Sequence, residues 1–558
     1  MKRLEEFIYN ILGSSSKQKM VLIITFLAFV ASIMMFPTKL VLAKMLPNKS
    51  ANTFSIYVDT PNGSSIKETK QVTNCVVEVL KQESEVTNIE VFLGEGAPLD
   101  YAGLVKGSSL KQGENLSEIV VNLTDKHDRD EPSFLMTQRL RVSLHDKCQS
   151  LIKNTSIKMI EQPSGPPTLA SIVVELYAKD KTKMREVANK IANILKNTKG
   201  LVDVDIMQDE IYPKYQLVVN TSKIAKSAIS IEQLNNILYL AFEGMKVAVE
   251  NSQNSPDQIP IFLILSSKSK ALDSFSKEAL EAKLSALRLM NQKGMMVPVS
   301  ELVRVEKVDS NPAIFSKNLK TMTNIIAETD MVSQVYPLLD ARDKMIEEFS
   351  KDFIVKKDEG ISTYMFDLHL IDKKTKEEFL IRWDGEMKVT LDTFRDLGGA
   401  FIAALVLIFL LLVVYYKSFA ISGVVLLGSF LSIIGVIVGH FVANLITSET
   451  FFLTATSLIG FIALMGISSR NSLLLIDFAM LLIREKGIPK QRAVAIATAT
   501  RAKPIMLTAI AIILGSALLA TDPIFGGLGV ALISGTIAAV IVSLIFIPVL
   551  MYNTKAIN

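Results

Sequence analysis

Arg470 stands near the middle of an apolar run that extends from about 452 to 482 and contains the segment GISSRNSLLLIDFAM. As a helix rising ~1.5 Å per residue, this run exceeds the ~30 Å hydrocarbon core of a bilayer, and the guanidinium falls close to its midpoint. A charge at that depth costs at least ~2.5 kcal/mol, and arginine cannot shed its proton to escape. Such a group belongs to a paired, working site. Asn471 is its polar neighbour, and Asp477, seven residues on, shares nearly the same helix face. Arg501 and Thr508, in TRAKPIMLTAI, repeat the seven-residue spacing on the next apolar run. These five residues form a candidate proton-relay or charge-coupling set. No carboxylate sits at matching depth in any apolar run, so the counter-charge to Arg470 has to come from elsewhere.

Plainer readings stand beside these. Ser468, Ser469 and Asn471 would solvate a purely structural guanidinium, since small polar residues also serve helix packing. Asp477 would snorkel, or pair with the basic loop that follows it. Pro504 fits a helix start, which puts Arg501 and Lys503 at the mouth of their helix, where basic residues gather for topological reasons alone. His440, in VGHFVAN, reads as a wetted imidazole near the end of its run.

The elements that position these residues are long apolar runs at about 20–40, 397–416, 420–445, 452–483, 504–520 and 526–552. Each has the ~17–25 residues a spanning helix needs. Arg484, Lys486, Lys490, Arg492, Arg501 and Lys503 crowd the loop between the fourth and fifth runs, whereas the loops near 447–450 and 521–527 hold no Lys or Arg. The positive-inside rule then places both termini in the cytoplasm and the roughly 350 residues between the first two runs outside. A cleaved signal peptide is the other reading of the first run, although the run is longer than a 7–15-residue signal core.

The external portion alternates between period-two strands and amphipathic helices. Strand 54–60, helix 66–82, strands 88–94 and 118–124, helix 134–153 and strand 156–161 give the β-α-β-β-α-β order of a ferredoxin-like unit. A second unit opens with strand 171–178, helix 181–196 and strand 202–207, and resumes with strand 331–338, helix 340–350 and strand 362–370. Between its parts lies an insertion with strands at 215–220 and 259–265 and a helix at 231–242. QPSGPPT, at 162–168, is the linker between units, because its prolines and glycine stop both helix and strand. Cys75 and Cys148 fall on the two helices of the first unit and read as half-buried thiols, with a disulfide open to them in an oxidising compartment. His127 and His145 lack metal-ligand spacing, and GLGV and GEGAP lack the context of phosphate loops. No enzyme chemistry is visible, no cofactor is called for, and a net charge of +4 on 558 residues carries no nucleic-acid signal.

Several long motifs now become recognisable. GFIALMGISSRNSLLLIDFAM, RAKPIMLTAIAIILG and DPIFGGLGVALISGTIAAVIVSLIFIPVLMY resemble the fourth, fifth and last helices of the C-terminal half of resistance–nodulation–division (RND) permeases of the acriflavine-resistance type. FLGEGAPLDYAGLVKG, IVVNLTDKHDRD and QPSGPPTLASIVVELYAKD resemble segments of their porter domains. The resemblance implies six transmembrane helices with an extracytoplasmic α+β porter and docking domain. In this numbering the parts are a cytoplasmic segment 1–19, a first span 20–42, porter subdomains 43–167 and 168–210 with 330–395, a docking-like insertion 211–329, and five further helices in 396–558.

The resemblance also implies proton-driven export of small hydrophobic or amphipathic compounds across a bacterial inner membrane. Family members are about twice as long, assemble as trimers, and work with a periplasmic adaptor and an outer-membrane channel. Arg470 falls on the family's cationic relay position, where the better-known drug pumps have lysine, and Arg501 and Thr508 fall on two further relay positions. The family's adjacent aspartates are absent, so the expected partner is an N-terminal-half polypeptide that carries them. A non-transporting relic or membrane-anchored sensor, and an RND-type protein or lipid export component, are the alternatives.

Overall fold

The computed structural model describes all residues except 1, 109–110, 255, 257, 331–332, 359–365, 448–449 and 558. Six helical segments among the described residues are long and apolar enough to cross a membrane. In chain order, spans one to six are Ser15–Met34, Glu386–Tyr416, Phe419–Ile446, Ala455–Arg484, Lys490–Ala520 and Gly526–Asn553. Span two starts eleven residues before the apolar run does, because Glu386 to Asp396 continue the same helix in polar sequence. Span five begins at Lys490 and runs through Pro504, so the expected helix start at that proline is wrong. The freed carbonyl four residues earlier belongs to Thr500, which is exposed, and so the missing hydrogen bond is tolerated.

Strands β1 (Thr53–Asp59), β2 (Val86–Glu95), β3 (Gln112–Leu123) and β4 (Ser156–Glu161) form one antiparallel sheet in the order β2-β3-β1-β4. Helix Ile66–Leu80 connects β1 to β2 and helix Ser133–Lys147 lies between β3 and β4. Each helical crossover therefore skips one strand, and the two crossovers interleave. Val72, Val76 and Leu80 on the first helix, and Met136, Leu140 and Leu144 on the second, recur every four residues and pack on Phe54, Ile56, Ile119 and Val121 of the sheet. Cys75 and Cys148 form a disulfide across this helix layer, with a Cα–Cα separation of 5.6 Å. The reading as two thiols is thus corrected: periodicity places each cysteine on its helix but says nothing of the distance between helices.

The second sheet contains β5 (Ile172–Tyr177) and β6 (Leu201–Met207), joined by helix Lys181–Lys196. The chain then enters a separate compact unit, Gln208–Ala313. There β7 (Pro213–Val219) pairs with β12 (Val303–Asp309), β8 (Met245–Glu250) with β9 (Ile259–Leu263), and β10 (Arg288–Met290) with β11 (Met296–Pro298). This unit has its own small core, which includes Leu234, Leu284, Val299 and Leu302.

On return, β13 (Phe315–Lys317), β14 (Lys320–Thr329), β15 (Phe353–Lys357), β16 (Leu368–Asp372) and β17 (Glu378–Asp384) complete the second sheet. Its order is β13-β14-β5-β17-β16-β15, with β6 also paired to β14. Residues 314–329, expected in the insertion, therefore belong to this sheet. The strand expected at 331–338 does not form. Positions 331–332 lie outside the described residues, and a helix, Val335–Phe349, begins just after them. Its buried Leu338, Ala341, Met345 and Phe349 recur at helical intervals, a pattern that a short apolar run hides at its start. Of the strand expected at 362–370, residues 362–365 lie outside the described residues and the observed β16 starts at Leu368.

Candidate functional site

Span four is capped by Thr454, whose side chain accepts from the Ser457 backbone N–H, and it continues unbroken to Arg484. Arg470 lies fifteen residues from Ala455 and fourteen from Arg484, about 20 Å from either end. It is exposed on a face shared by Ile459, Ala463, Gly466, Leu474 and Leu481, all exposed and spaced three, four or seven residues apart. A Cβ added to Gly466, one turn before Arg470, would meet no atom within 4 Å. The chain leaves this stripe uncovered. Arg470 makes no ion pair and no side-chain hydrogen bond among the described residues.

The polar neighbours do not solvate it. Ser468, Ser469 and Asn471 are all buried, whereas Arg470 is exposed. Ser469 Oγ is 2.8 Å from Ser429 Oγ and donates to the Met465 carbonyl. Ser468 Oγ has no hydrogen-bond partner among the described residues. Asp477 makes no ion pair with the basic loop among the described residues. It accepts a 2.6 Å hydrogen bond from the Tyr416 hydroxyl at the end of span two. The Arg501 guanidinium stacks over Phe478 of span four at 4.9 Å, and its buried Nε has no hydrogen bond among the described residues. Thr508 Oγ1 donates to the Ile505 carbonyl of its own helix. No hydrogen bond or ion pair joins Arg470, Arg501 and Thr508 among the described residues.

His440 is buried, contrary to the wetted imidazole expected from its place near a helix end. Its Nδ1 donates to the Val436 carbonyl at 2.7 Å, and its Nε2 lies 2.8 Å from Ser457 Oγ in the first turn of span four. A neutral ring with the proton on Nδ1 satisfies both contacts.

A second group of charges escaped sequence reasoning. Where the α/β part meets the spans, a cavity of about 140 Å³ is walled by Lys44, Lys106, Arg141, Glu161, Glu328 and Glu386. Lys106 Nζ donates to Glu328 Oε1 at 2.9 Å and to the Leu169 carbonyl. Glu328 Oε2 accepts from both the backbone and the hydroxyl of Ser171. Burial alone would raise Glu328, but Lys106 and the Ser171 bonds outweigh it and hold the carboxyl below its usual range. Arg141 pairs with Asp203 at 3.2 Å. Burial pushes Glu161 up, against the Thr137 hydroxyl and the charges of Arg141 and Lys44. Lys44 is only 8 % exposed, and its burial lowers the ammonium against the pull of Glu386, Glu161 and Glu328. Its hydrogen-bond acceptor is the Asn48 side chain, a neutral group. The members come from six separate stretches of sequence, so no local spacing reveals them.

Six apolar spans and an α/β portion entered between the first two define a polytopic membrane protein. The sequence profile of the AcrB/AcrD/AcrF family matches residues 3–350 and 363–555, and the chain belongs to that family. It is 23% identical to the swarming motility protein SwrC of Bacillus subtilis, over 94% of this chain and 45% of that one. It is 21% identical to the toluene efflux pump membrane transporter TtgB of Pseudomonas putida, over 90% of this chain and 44% of that one. With the multidrug resistance protein MdtC of Escherichia coli it shares 21% identity, over 81% and 40%. The fold matches the crystal structure of a heavy metal efflux pump with a TM-score of 0.72 at 18% identity, covering 98% of this chain and 52% of that one. The chain spans about half the length of the relatives it matches.

Proposed function

We propose that this chain acts as one six-helix half of a proton-driven RND exporter of small hydrophobic or amphipathic compounds, working against a second half that carries paired carboxylates. One observation carries the reading. Arg470 sits at mid-helix on an uncovered stripe of span four, with no counter-charge among the described residues. Arginine stays charged throughout a cycle, so protons load the opposing carboxylates while Arg470 stabilises their ionised form. Protonation removes that attraction, the two central helices shift, and the shift drives alternating access in the α/β part.

A second copy is a poor occupant of the stripe. Two-fold pairing through this face sets Arg470 opposite Arg470, a repulsion of about 4 kcal/mol at 4 Å with an effective dielectric of 20. The β2-β3-β1-β4 order with interleaved crossovers supports reading the first sheet as a ferredoxin-like porter subdomain. On the same reading the α/β part is periplasmic, both termini are cytoplasmic, and the assembly is a trimer in the inner membrane served by an adaptor and an outer-membrane channel.

The test is export of ethidium by cells that express this chain with a second half bearing the aspartate pair. Export that requires both halves, and is lost with Arg470→Ala at normal expression, is the expected result. Export by this chain without any carboxylate-bearing half refutes the division of labour.

A further inference from the structure

The segment that leaves span one does not pass freely to β1. The Lys44 N–H donates to the Leu453 carbonyl at 3.1 Å, the Leu453 N–H to the Leu42 carbonyl at 2.8 Å, and the Ala455 N–H to the Met45 carbonyl at 3.0 Å. Ala43 and Leu453 form a parallel bridge, and Lys44 Nζ stands 5.4 Å from the Phe452 ring. A strap of residues 42–45 is thus sewn to the residues that start the Arg470 helix.

The side chain of Lys44 turns to the α/β part. It lies in the charge-lined cavity, where Glu161 ends β4 of the first sheet and Glu328 sits in β14 of the second. Glu386 heads span two, and the segment that leads into β5 of the second sheet holds that helix start directly. The Glu386 and Met387 N–H groups donate to the Ala170 and Ser171 carbonyls at 3.1 Å each. Ser171 in turn bonds Glu328.

We propose that Lys44 is the positioning residue that carries a displacement of span four to both sheets: its backbone moves with Leu453, and its ammonium draws Glu161, Glu328 and Glu386 after it. An ammonium suits the task because its attraction is not tied to a single hydrogen-bond direction, so the three carboxyls follow it through a shift that a fixed contact would break. The role rests on the proposed proton-driven movement of span four; the geometry of the tie does not.

Two experiments separate these. In the first, amide hydrogen exchange is followed on the full chain in nanodiscs. Lys44→Met accelerates exchange at Glu386 and Met387 at least ten-fold, Leu453 keeps its protection, and Lys44→Arg restores the native pattern. Unchanged exchange at Glu386 and Met387, or acceleration spread evenly over the strap as well, overturns the tie.

In the second, vesicles hold this chain with its carboxylate-bearing second half, and lumenal pyranine reports protons while ethidium reports export. Lys44→Met keeps proton flux but raises the ratio of protons to ethidium at least ten-fold, because the helices cycle without the sheets. Lys44→Arg returns the ratio to within two-fold. A native ratio with native export, or equal loss of both fluxes, overturns the role. Arg470→Met at native export rates instead sinks the proton-driven reading, and leaves the exchange result to decide the tie.

Discussion

Replacing Arg470 with leucine should have opposite effects on the chain by itself and on the working pair. The residue is about 20 Å from either end of its helix, beyond the reach of its side chain to the interface. No carboxylate or hydroxyl of the described residues neutralises it. At a helix centre, arginine costs about 2.5–3.5 kcal/mol on insertion scales and leucine contributes about −0.5 kcal/mol. The exchange is therefore worth about 3 kcal/mol, or roughly two decades in the insertion equilibrium. A glycosylation-mapping assay of residues 455–484 reads that shift directly, and thermal unfolding of the chain alone in nanodiscs should move upward. Ethidium export by the pair should vanish in the same variant. A lower melting temperature for the isolated chain would mean that Arg470 already has a partner within it. Native export would mean that the cation does not couple. Either result refutes the reasoning.

Three further outcomes follow from the α/β part. Glu161 is held above its ordinary range, so its ionised form opposes folding at pH values above about 4.5 and not below. Glu161→Gln should raise the melting temperature by a few degrees at pH 7.5 and leave it unchanged at pH 4, as followed by calorimetry. The Cys75–Cys148 bridge closes a separation of 73 residues, for which chain entropy gives about 4 kcal/mol as an upper figure. Double replacement by alanine should lower the stability of the first sheet unit by about 2–4 kcal/mol in urea titrations, and a reductant should mimic it in the native chain. Gly385 has φ +82°, and an added Cβ would press on the Ala170 carbonyl. Gly385→Ala should cost about 1–3 kcal/mol and expose the Glu386 amide to exchange.

The first sheet was legible because its central strand alternates in sequence, even though β1 is buried along most of its length. Phe54, Ile56 and Val58 alternate with polar positions, and the helix between β1 and β2 repeats its valines every four residues. The second was misread where the apolar run is short. Residues 335–338 present apolar side chains that suit either period until Ala341 and Met345 extend the helical one. Pro504 misled because a soluble helix rarely contains proline, whereas span five carries it in its interior. Arg470 was legible as an anomaly of depth, which needs only the length of its run. The partners of Asp477 and His440 were not legible, since Tyr416 and Ser457 arrive from other helices. The cluster around Lys44 was the least visible. Its charges look like ordinary surface residues until the strap, two sheets and a helix start bring them to one cavity.

The covalent link between the two helices of the first sheet has a mechanical consequence. With Cys75 joined to Cys148, those helices cannot slide past each other, and the four strands beneath them lose their freedom to flex along the same line. The unit is thereby stiffened against shear between its two helices. Under the proposed export cycle, volume changes would then open at its margins, above all along the proline-rich seam at 162–168.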